Sequence, residues 1–472
     1  MAHIVLFPFL AQGHLNPFVS LADLLLRRRP ALTVTLVSTP RNIAALRASL
    51  PPDSPLRLHS LPFSPSSHGL PPQAESLAAI PVRQFITFFQ ASESLRPAFD
   101  DFIAGARGSS PLCIVSDYFF GWTVDVARKH GAFHSVFLTT SAFGAAAYFS
   151  LCTHLPHALT SDDEFPLPDL PDVVVVHRSQ LSKYVLAADG TDPFSRFFRP
   201  QISFCHATDA VLVNTVEEIE AAAGLRMLRC TLSNAAPVFP VGPLISASAS
   251  EHPSSPAASS SEIVEWLDSH PPRSVIYVSF GSQNTIQAAQ MTELAMGLEA
   301  SGRPFVWVVR PPVGFDVTAE FDAEWLPEGF EETTRKEKRG LVIRGWAPQV
   351  AILRHESTGA FLSHCGWNSM LEGLIHGVPI IGWPLAGEQF FNATMAAQLG
   401  VCVEVARGNM ESSRVERGRV AEVVGAVMSG KEMRRRAAEI RAVMEAAWRE
   451  GIGPPGSSAK RLQEFFQVAG VR

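Results

Sequence analysis

Residues 346–389 read WAPQVAILRHESTGAFLSHCGWNSMLEGLIHGVPIIGWPLAGEQ, and their order of apolar runs and breakers decides the fold class. A strand ends near Gly345. Trp346-Ala347-Pro348-Gln349 turns the chain, and Pro348 suits the first turn of a short helix, where a missing N–H costs nothing. Gly359–Leu362 reads as a buried strand ending at Ser363. His364-Cys365-Gly366-Trp367-Asn368-Ser369 follows, then a helix to about His376, where Gly377 can take the left-handed conformation that ends helices. Val378–Ile381 returns as a strand. Strand, helix and strand in this order predict a parallel sheet covered by helices.

The alternation continues on either side. Val275–Phe280, Phe305–Val309, Leu341–Ile343 and Val401–Val405 are further strand candidates. Near the start, His3–Phe9 reads as a buried strand, Leu15, Phe18, Ala22 and Leu25 recur at helical spacing, and Thr33–Ser38 is a second strand. Leu112–Ser116, Ser135–Thr139 and Ala210–Asn214 add three more. Between the two series, 246–261 is Ser/Ala/Pro-rich and reads as a linker. At 472 residues two large domains are the default, here 1–245 and 262–450, with a tail at 451–472. Polar Thr160–Asp172 is expected to be a mobile loop. Lys431–Glu450, with Arg434, Arg435 and Arg436, reads as a helix with a solvated face.

Composition excludes several classes. Hydrophobic residues make up 46% and charged residues 18%, the balance of a globular chain rather than a disordered one. A net charge of -6 offers no basic groove for nucleic acid. Cys113, Cys152, Cys205, Cys230, Cys365 and Cys402 are scattered without a CxxC pair, which argues against a disulfide framework or zinc site and for a reducing compartment. The first residues lack the basic start, long apolar stretch and small-residue cleavage site of a signal peptide. No segment has the roughly 20 apolar residues of a membrane span. A cytoplasmic protein is therefore expected, in which the sequon Asn392-Ala393-Thr394 stays unused.

His364–Ser369 occupies a strand-to-helix turn, where backbone N–H groups and the helix dipole favour an anion. Gly366 lets a phosphate approach closely, Asn368, Ser369 and His364 add side-chain donors, and Glu372 can accept from ribose hydroxyls. The same pattern also describes a polar helix cap. Ser282, in Gly281-Ser282-Gln283, could reach the same diphosphate. After the first strand the chain reads Leu10-Ala11-Gln12-Gly13-His14-Leu15-Asn16-Pro17, not the GxGxxG of a nicotinamide site. His14 there heads a helix, whose dipole favours the neutral imidazole, a base near pH 7. Asp117 ends Ile114-Val115-Ser116-Asp117 on the same sheet edge and could hold the other ring nitrogen, as in a triad. Either residue alone also reads as a helix cap.

Trp346–Gln389 resembles the signature box of plant family 1 UDP-glycosyltransferases, and spans 44 residues as that box does. The match runs through Trp346-Ala347-Pro348-Gln349, His364–Ser369, Glu372-Gly373, Gly377-Val378-Pro379 and Glu388-Gln389. Gly13–Pro17, Ser116-Asp117 and Phe280-Gly281-Ser282 extend it over the chain. The resemblance implies an α/β GT-B fold, two facing Rossmann-like domains with a cleft, and a tail packing back on the N-terminal domain. Trp346, Ala347 and Gln349 would hold the uracil and ribose, Glu372 the ribose hydroxyls, and His364, Gly366, Asn368, Ser369 and Ser282 the diphosphate. Trp367, Glu388, Gln389 and Thr139 would contact the sugar. Gln389 and Trp367 resemble the residues of glucose users, while Glu388 departs from the commoner Asp.

The expected reaction is a single displacement: His14 deprotonates an acceptor hydroxyl, Asp117 stabilises the imidazolium, and an α-linked UDP-glucose gives a β-glucoside. No cofactor, metal, nucleic acid or membrane insertion is implied, and a monomer is. The acceptor, a flavonoid, phenolic, terpenoid or steroid, would meet Phe119, Phe120, Phe143 and Phe85 in the N-terminal domain, with Phe149 near by. A UDP-sugar epimerase would work without an acceptor, a silent UDP-sugar sensor would form no product, and a nicotinamide oxidoreductase would need the missing glycine fingerprint.

Overall fold

The computed structural model describes residues 2–108, 112–170, 174–220, 223–233, 236–245, 260–316, 319–451 and 453–471. The linker expected at 246–261 lies outside them except for Ser260 and Ser261, which begin the helix Ser260–Asp268. The chain forms two compact units. One holds the described residues of 1–176, 183–248 and 446–472, the other those of 177–182 and 249–445.

The first unit is built on a seven-stranded sheet in the order Arg57–Ser60, Thr33–Ser38, His3–Phe7, Leu112–Ser116, Phe133–Leu138, Ala210–Val213, Val238–Pro240. Every neighbouring pair is parallel. His3–Phe7 is buried along its whole length, as a central strand covered on both faces must be. The helix Gln12–Arg28 buries Leu15, Phe18, Leu21, Ala22 and Leu25, and sets Arg27 and Arg28 at its carboxyl end, where positive charge suits the dipole. Residues 446–471 complete this unit. Leu462, Phe465 and Phe466 of the helix Ser457–Val468 enter its core, each contributing about 1.5–3 kcal/mol of burial. Arg461 fixes the helix through two bonds to Glu217, at 2.8 and 2.7 Å.

Two strands of this sheet escaped the sequence reading, as did the small pair Glu164–Pro166 and Val175–His177. Arg57–Ser60 is a half-exposed edge strand, and Val238–Pro240 is only three residues long; neither carries an apolar pattern long enough to register. Of the loop expected at Thr160–Asp172, Pro171 and Asp172 lie outside the described residues. Within it Glu164–Pro166 pairs with Val175–His177, and Phe165 and Leu167 are buried anchors.

The second unit holds a six-stranded parallel sheet in the order Gly340–Arg344, Phe305–Val309, Val275–Ser279, Thr358–Ser363, Ile380–Gly382, Cys402–Glu404. Its register pairs Ser279 with Ser363 and Ser363 with Gly382. The turns that follow these strands therefore open along one sheet edge, the usual ligand edge of a parallel sheet. This unit departs from a continuous 262–450 segment at two places. His177–Ser182 joins it, with Asn409 Nδ2 donating to the Leu181 carbonyl at 2.7 Å. The helix Lys431–Ala447 leaves it after Glu445. On that helix Arg435 and Arg436 are held by Glu432 and Glu439, and Arg441 by Glu445. No helix among the described residues is long and apolar enough to cross a membrane.

Candidate active site

In the first unit, strand pairing sets Phe7 beside Ser116, and the next residue, Asp117, donates its N–H to the Phe7 carbonyl at 2.9 Å. His14 lies in the first turn of the helix that follows Phe7. Its Nδ1 stands 2.6 Å from Asp117 Oδ2. Asp117 is fully buried, and its Oδ1 accepts from Phe119 N–H at 3.1 Å, so the carboxylate is fixed at both oxygens. A carboxylate only accepts; Nδ1 therefore bears the proton and Nε2 the lone pair. Thr139, expected at the sugar, places its hydroxyl 3.3 Å from His14 Nδ1, beside the base. The His14 side chain keeps 22% of its surface exposed, enough for an incoming hydroxyl to reach it.

Aromatic rings frame the imidazole. Phe119 and Phe9 both meet it edge-to-face, at 5.2 and 5.7 Å, and stack on each other at 4.4 Å. Phe89, Phe197 and Phe198 extend the cluster from Phe119. Of the expected acceptor residues, Phe119 belongs to this wall and half-buried Phe85 reaches it through Phe89. Phe120 lies behind the wall: it meets Phe9 at 5.5 Å but is fully buried, stacked on Phe7 and edge-on to Trp122. Phe143 and Phe149 are likewise interior. Phe143 N–H, with that of Ala142, is bonded to the buried Glu220 carboxyl, whose pKa burial raises. The sequence reading missed Phe9, Phe89, Phe197 and Phe198. For the last two a signal existed, since Phe194, Phe197 and Phe198 form an i, i+3, i+4 face.

In the second unit the helix Trp367–Ile375 starts at Gly366, with no side-chain cap and no acid in its first turn. That is the electrostatic profile of an anion site rather than of a capped helix. The turn before it is held from several sides. Cys365 is left-handed at φ 62°. Its N–H donates to Ser363 Oγ, and its carbonyl accepts from Asn392 Nδ2, both at 3.1 Å. Asn392, the residue of the sequon, is thus wholly buried. Gly377 has φ 69° and ends the helix as expected. The His364 ring is wedged between two glycines: a Cβ on Gly281 would lie 2.6 Å from its Cε1, and one on Gly366 2.4 Å from its Nε2. Gly366 therefore makes room for the imidazole, a requirement not visible in the sequence. Burial lowers the His364 pKa to about 4, so the ring is a neutral donor at pH 7. Its Nδ1 is buried without a hydrogen-bond partner, a deficit that a bound phosphate would remove.

Gln349 links several of the residues expected at the nucleoside. Its Nε2 donates to Glu372 Oε2 at 2.6 Å and to Ser369 Oγ at 3.1 Å, and its Oε1 accepts from Tyr277 OH at 3.1 Å. Tyr277, on a central strand and 1% exposed, is a member of the site that no sequence pattern announced. Trp346 is half-buried, and Ala347 is buried beside it. Pro348 is the N-cap of the helix Gln349–Arg354 rather than its first residue. Of the residues expected at the sugar, Gln389 opens the helix Gln389–Gln398 and its Oε1 accepts from the Leu385 and Ala386 N–H groups, both at 3.0 Å. Its amide NH₂ is thereby oriented as the donor side. Glu388 precedes it, half-buried. Trp367 is only 2% exposed, so its ring offers little to a sugar.

Two parallel α/β units, one with a carboxylate-held imidazole and one with an uncapped helix N-terminus beside a ribose-type carboxylate, define a nucleotide-sugar transferase of GT-B architecture. A family profile for UDP-glucoronosyl and UDP-glucosyl transferase matches residues 193–436. The chain belongs to this family. It is 42% identical to UDP-glycosyltransferase 92A1 of Arabidopsis thaliana, over 99% of this chain and 97% of that one. It is 45% identical to crocetin glucosyltransferase 3 of Crocus sativus, over 88% and 89%. The crystal structure of Medicago truncatula UGT71G1 complexed with UDP-glucose superposes with a TM-score of 0.83 at 25% identity, covering 99% of this chain and 98% of that one. The protein is a UDP-glycosyltransferase acting on small-molecule acceptors.

Glu372 gives the donor site a pH dependence. Burial pushes its carboxyl up to about 7, against the pull of the Gln349 bond. The folded protein thus holds a proton that the unfolded chain has lost above the ordinary value of 4.5. Stability of the ligand-free protein from this group is greatest below pH 4.5 and declines as pH rises toward 7. If Glu372 accepts from the ribose hydroxyls, as the resemblance implies, they donate best to the ionised carboxyl and donor binding would expel the proton. UDP-glucose affinity is expected to rise between pH 6 and 8, and Glu372→Gln to flatten the rise. Titration calorimetry with UDP-glucose, whose phosphates do not themselves titrate in this range, checks it; a flat wild-type profile refutes it.

Proposed function

We propose that this enzyme transfers glucose from UDP-glucose to a hydroxyl of a small lipophilic acceptor, with inversion, and that His14 is the general base. The observation that carries the reading is the 2.6 Å contact of His14 Nδ1 with a fully buried Asp117 carboxylate. That contact directs the basic lone pair to Nε2 and stabilises the imidazolium formed on proton transfer. In this scheme the first unit takes the acceptor, against Phe119, Phe9 and Phe85. The second takes the donor: Trp346 stacks on uracil, Glu372 accepts from the ribose, and Gln349 aligns both. His364, Asn368, Ser369, Ser282 and the Trp367 helix N-terminus hold the diphosphate and stabilise the leaving UDP. Glucose is favoured by Gln389, whose oriented amide can donate to sugar hydroxyls, with Glu388 accepting from its neighbours. The bond formed is from acceptor oxygen to the anomeric carbon, the bond broken is from that carbon to UDP, and the acceptor proton goes to His14.

The test is product analysis. Purified protein, UDP-glucose and a panel of flavonoids, simple phenols, terpenoid alcohols, steroids and crocetin (named for the relative above) are expected to give a hexose mass gain and a β anomeric configuration by NMR. An α-linked product would overturn the single displacement. A UDP-glucose that is turned over only with another acceptor class would overturn the lipophilic pocket.

A further inference from the structure

Arg310 follows the strand Phe305–Val309 onto the sheet edge that carries the donor-site turns. Its Nη1 donates to the Ser282 carbonyl at 2.9 Å, while its Nε is buried with no hydrogen-bond partner. Among the described residues no carboxylate pairs with this guanidinium. Burial lowers its pKa, but from so high a value that it remains a cation. Arg310 as a whole is half-buried, but taking its Nε out of water costs free energy that the one neutral carbonyl on Nη1 does not return. The missing partner is an anion, and the neighbouring site is shaped for one. Arg310 grips the turn that carries Ser282, and that turn touches the His364 ring through Gly281.

We propose that Arg310 is a positioning residue of the donor site: through the Ser282 carbonyl it holds the Gly281–Gln283 turn, and its charge balances the diphosphate of the bound nucleotide. The proposal rests on the reading that the diphosphate docks at Ser282 and His364–Ser369. The same charge would favour departure of UDP, whose phosphate gains charge as the glycosidic bond breaks.

Uridine, UMP and UDP are titrated calorimetrically onto the full chain and onto Arg310→Gln and Arg310→Lys. Gln keeps a donor for the Ser282 carbonyl and drops the charge; Lys keeps the charge and drops the planar fork. Arg310→Gln is expected to weaken UDP about tenfold and to leave uridine within about twofold, the size of a screened charge interaction. Arg310→Lys is expected to restore most of the loss. Unchanged UDP affinity in Arg310→Gln overturns the proposal. So does an equal loss for uridine and UDP, or a Lys variant as weak as Gln, since either marks a collapsed turn rather than a lost charge. If wild-type protein binds UDP no tighter than uridine, the docking reading itself fails, which these variants are not needed to reveal.

Discussion

Replacing His14 by Ala is expected to lower kcat/KM by roughly 100- to 10,000-fold, or about 2.7–5.5 kcal/mol of transition-state stabilisation, while leaving UDP affinity unchanged. The split follows from where the groups stand. His14, the proposed base, lies in the first unit, and the residues assigned to UDP all lie in the second. The variant also leaves the buried Asp117 carboxylate with only the Phe119 N–H. Part of the cost would therefore appear as lost stability, moderated because the vacated site is partly exposed and water can enter it. Asp117→Asn separates orientation from basicity. It keeps the volume but replaces an acceptor-only group, so Nδ1 is no longer held protonated, and a comparable loss in kcat is expected. Steady-state kinetics beside UDP titration decides the matter; near-normal turnover by His14→Ala would remove the base from the mechanism.

Gly366→Ala is expected to weaken UDP binding by about 100-fold, the scale of losing well-placed hydrogen bonds to a charged ligand. Gly366 has φ -61°, which any residue accepts, so the effect is steric alone. The added Cβ would stand 2.4 Å from His364 Nε2, in a ring that also packs closely on Gly281, so little room is left for it to shift. The imidazole must leave its pocket, at about 1–3 kcal/mol of stability for the overpacking. The double variant His364→Ala, Gly366→Ala is expected to regain that stability without regaining UDP affinity, a coupling readable from thermal melts and titration. A single Gly366→Ala protein with wild-type affinity would show that the ring is not part of the phosphate site.

The strands were legible because a sheet buried on both faces demands continuous apolar runs, as at His3–Phe7 and Val275–Ser279. Where that demand lapses, at the exposed edge strand Arg57–Ser60, the sequence carries no mark. Site residues were legible to the extent that spacing within one turn fixes them: His364 to Glu372 follows from a strand, a turn and a helix. Contacts made across strands were not. Nothing in the order of residues announces that Tyr277 reaches Gln349, or that Gly281 and Gly366 enclose one imidazole. The acceptor wall fared worst, because an aromatic in a core and one at a pocket share a composition. Phe119 and Phe120 are neighbours, yet one frames His14 and the other lies beneath it against Phe7.

The helix Ser457–Val468, whose phenylalanines close the first unit's core, has a bearing on how the chain is made. Translation delivers the first sheet early, but the residues that cap its apolar face emerge only after the entire second unit has been synthesised. For that interval the nascent first sheet lacks the apolar cover that Leu462, Phe465 and Phe466 supply, while every residue of the second unit, 177–182 included, has already been made. The first unit can therefore be completed only once the last segment has been made and has docked, however much of its sheet has formed before.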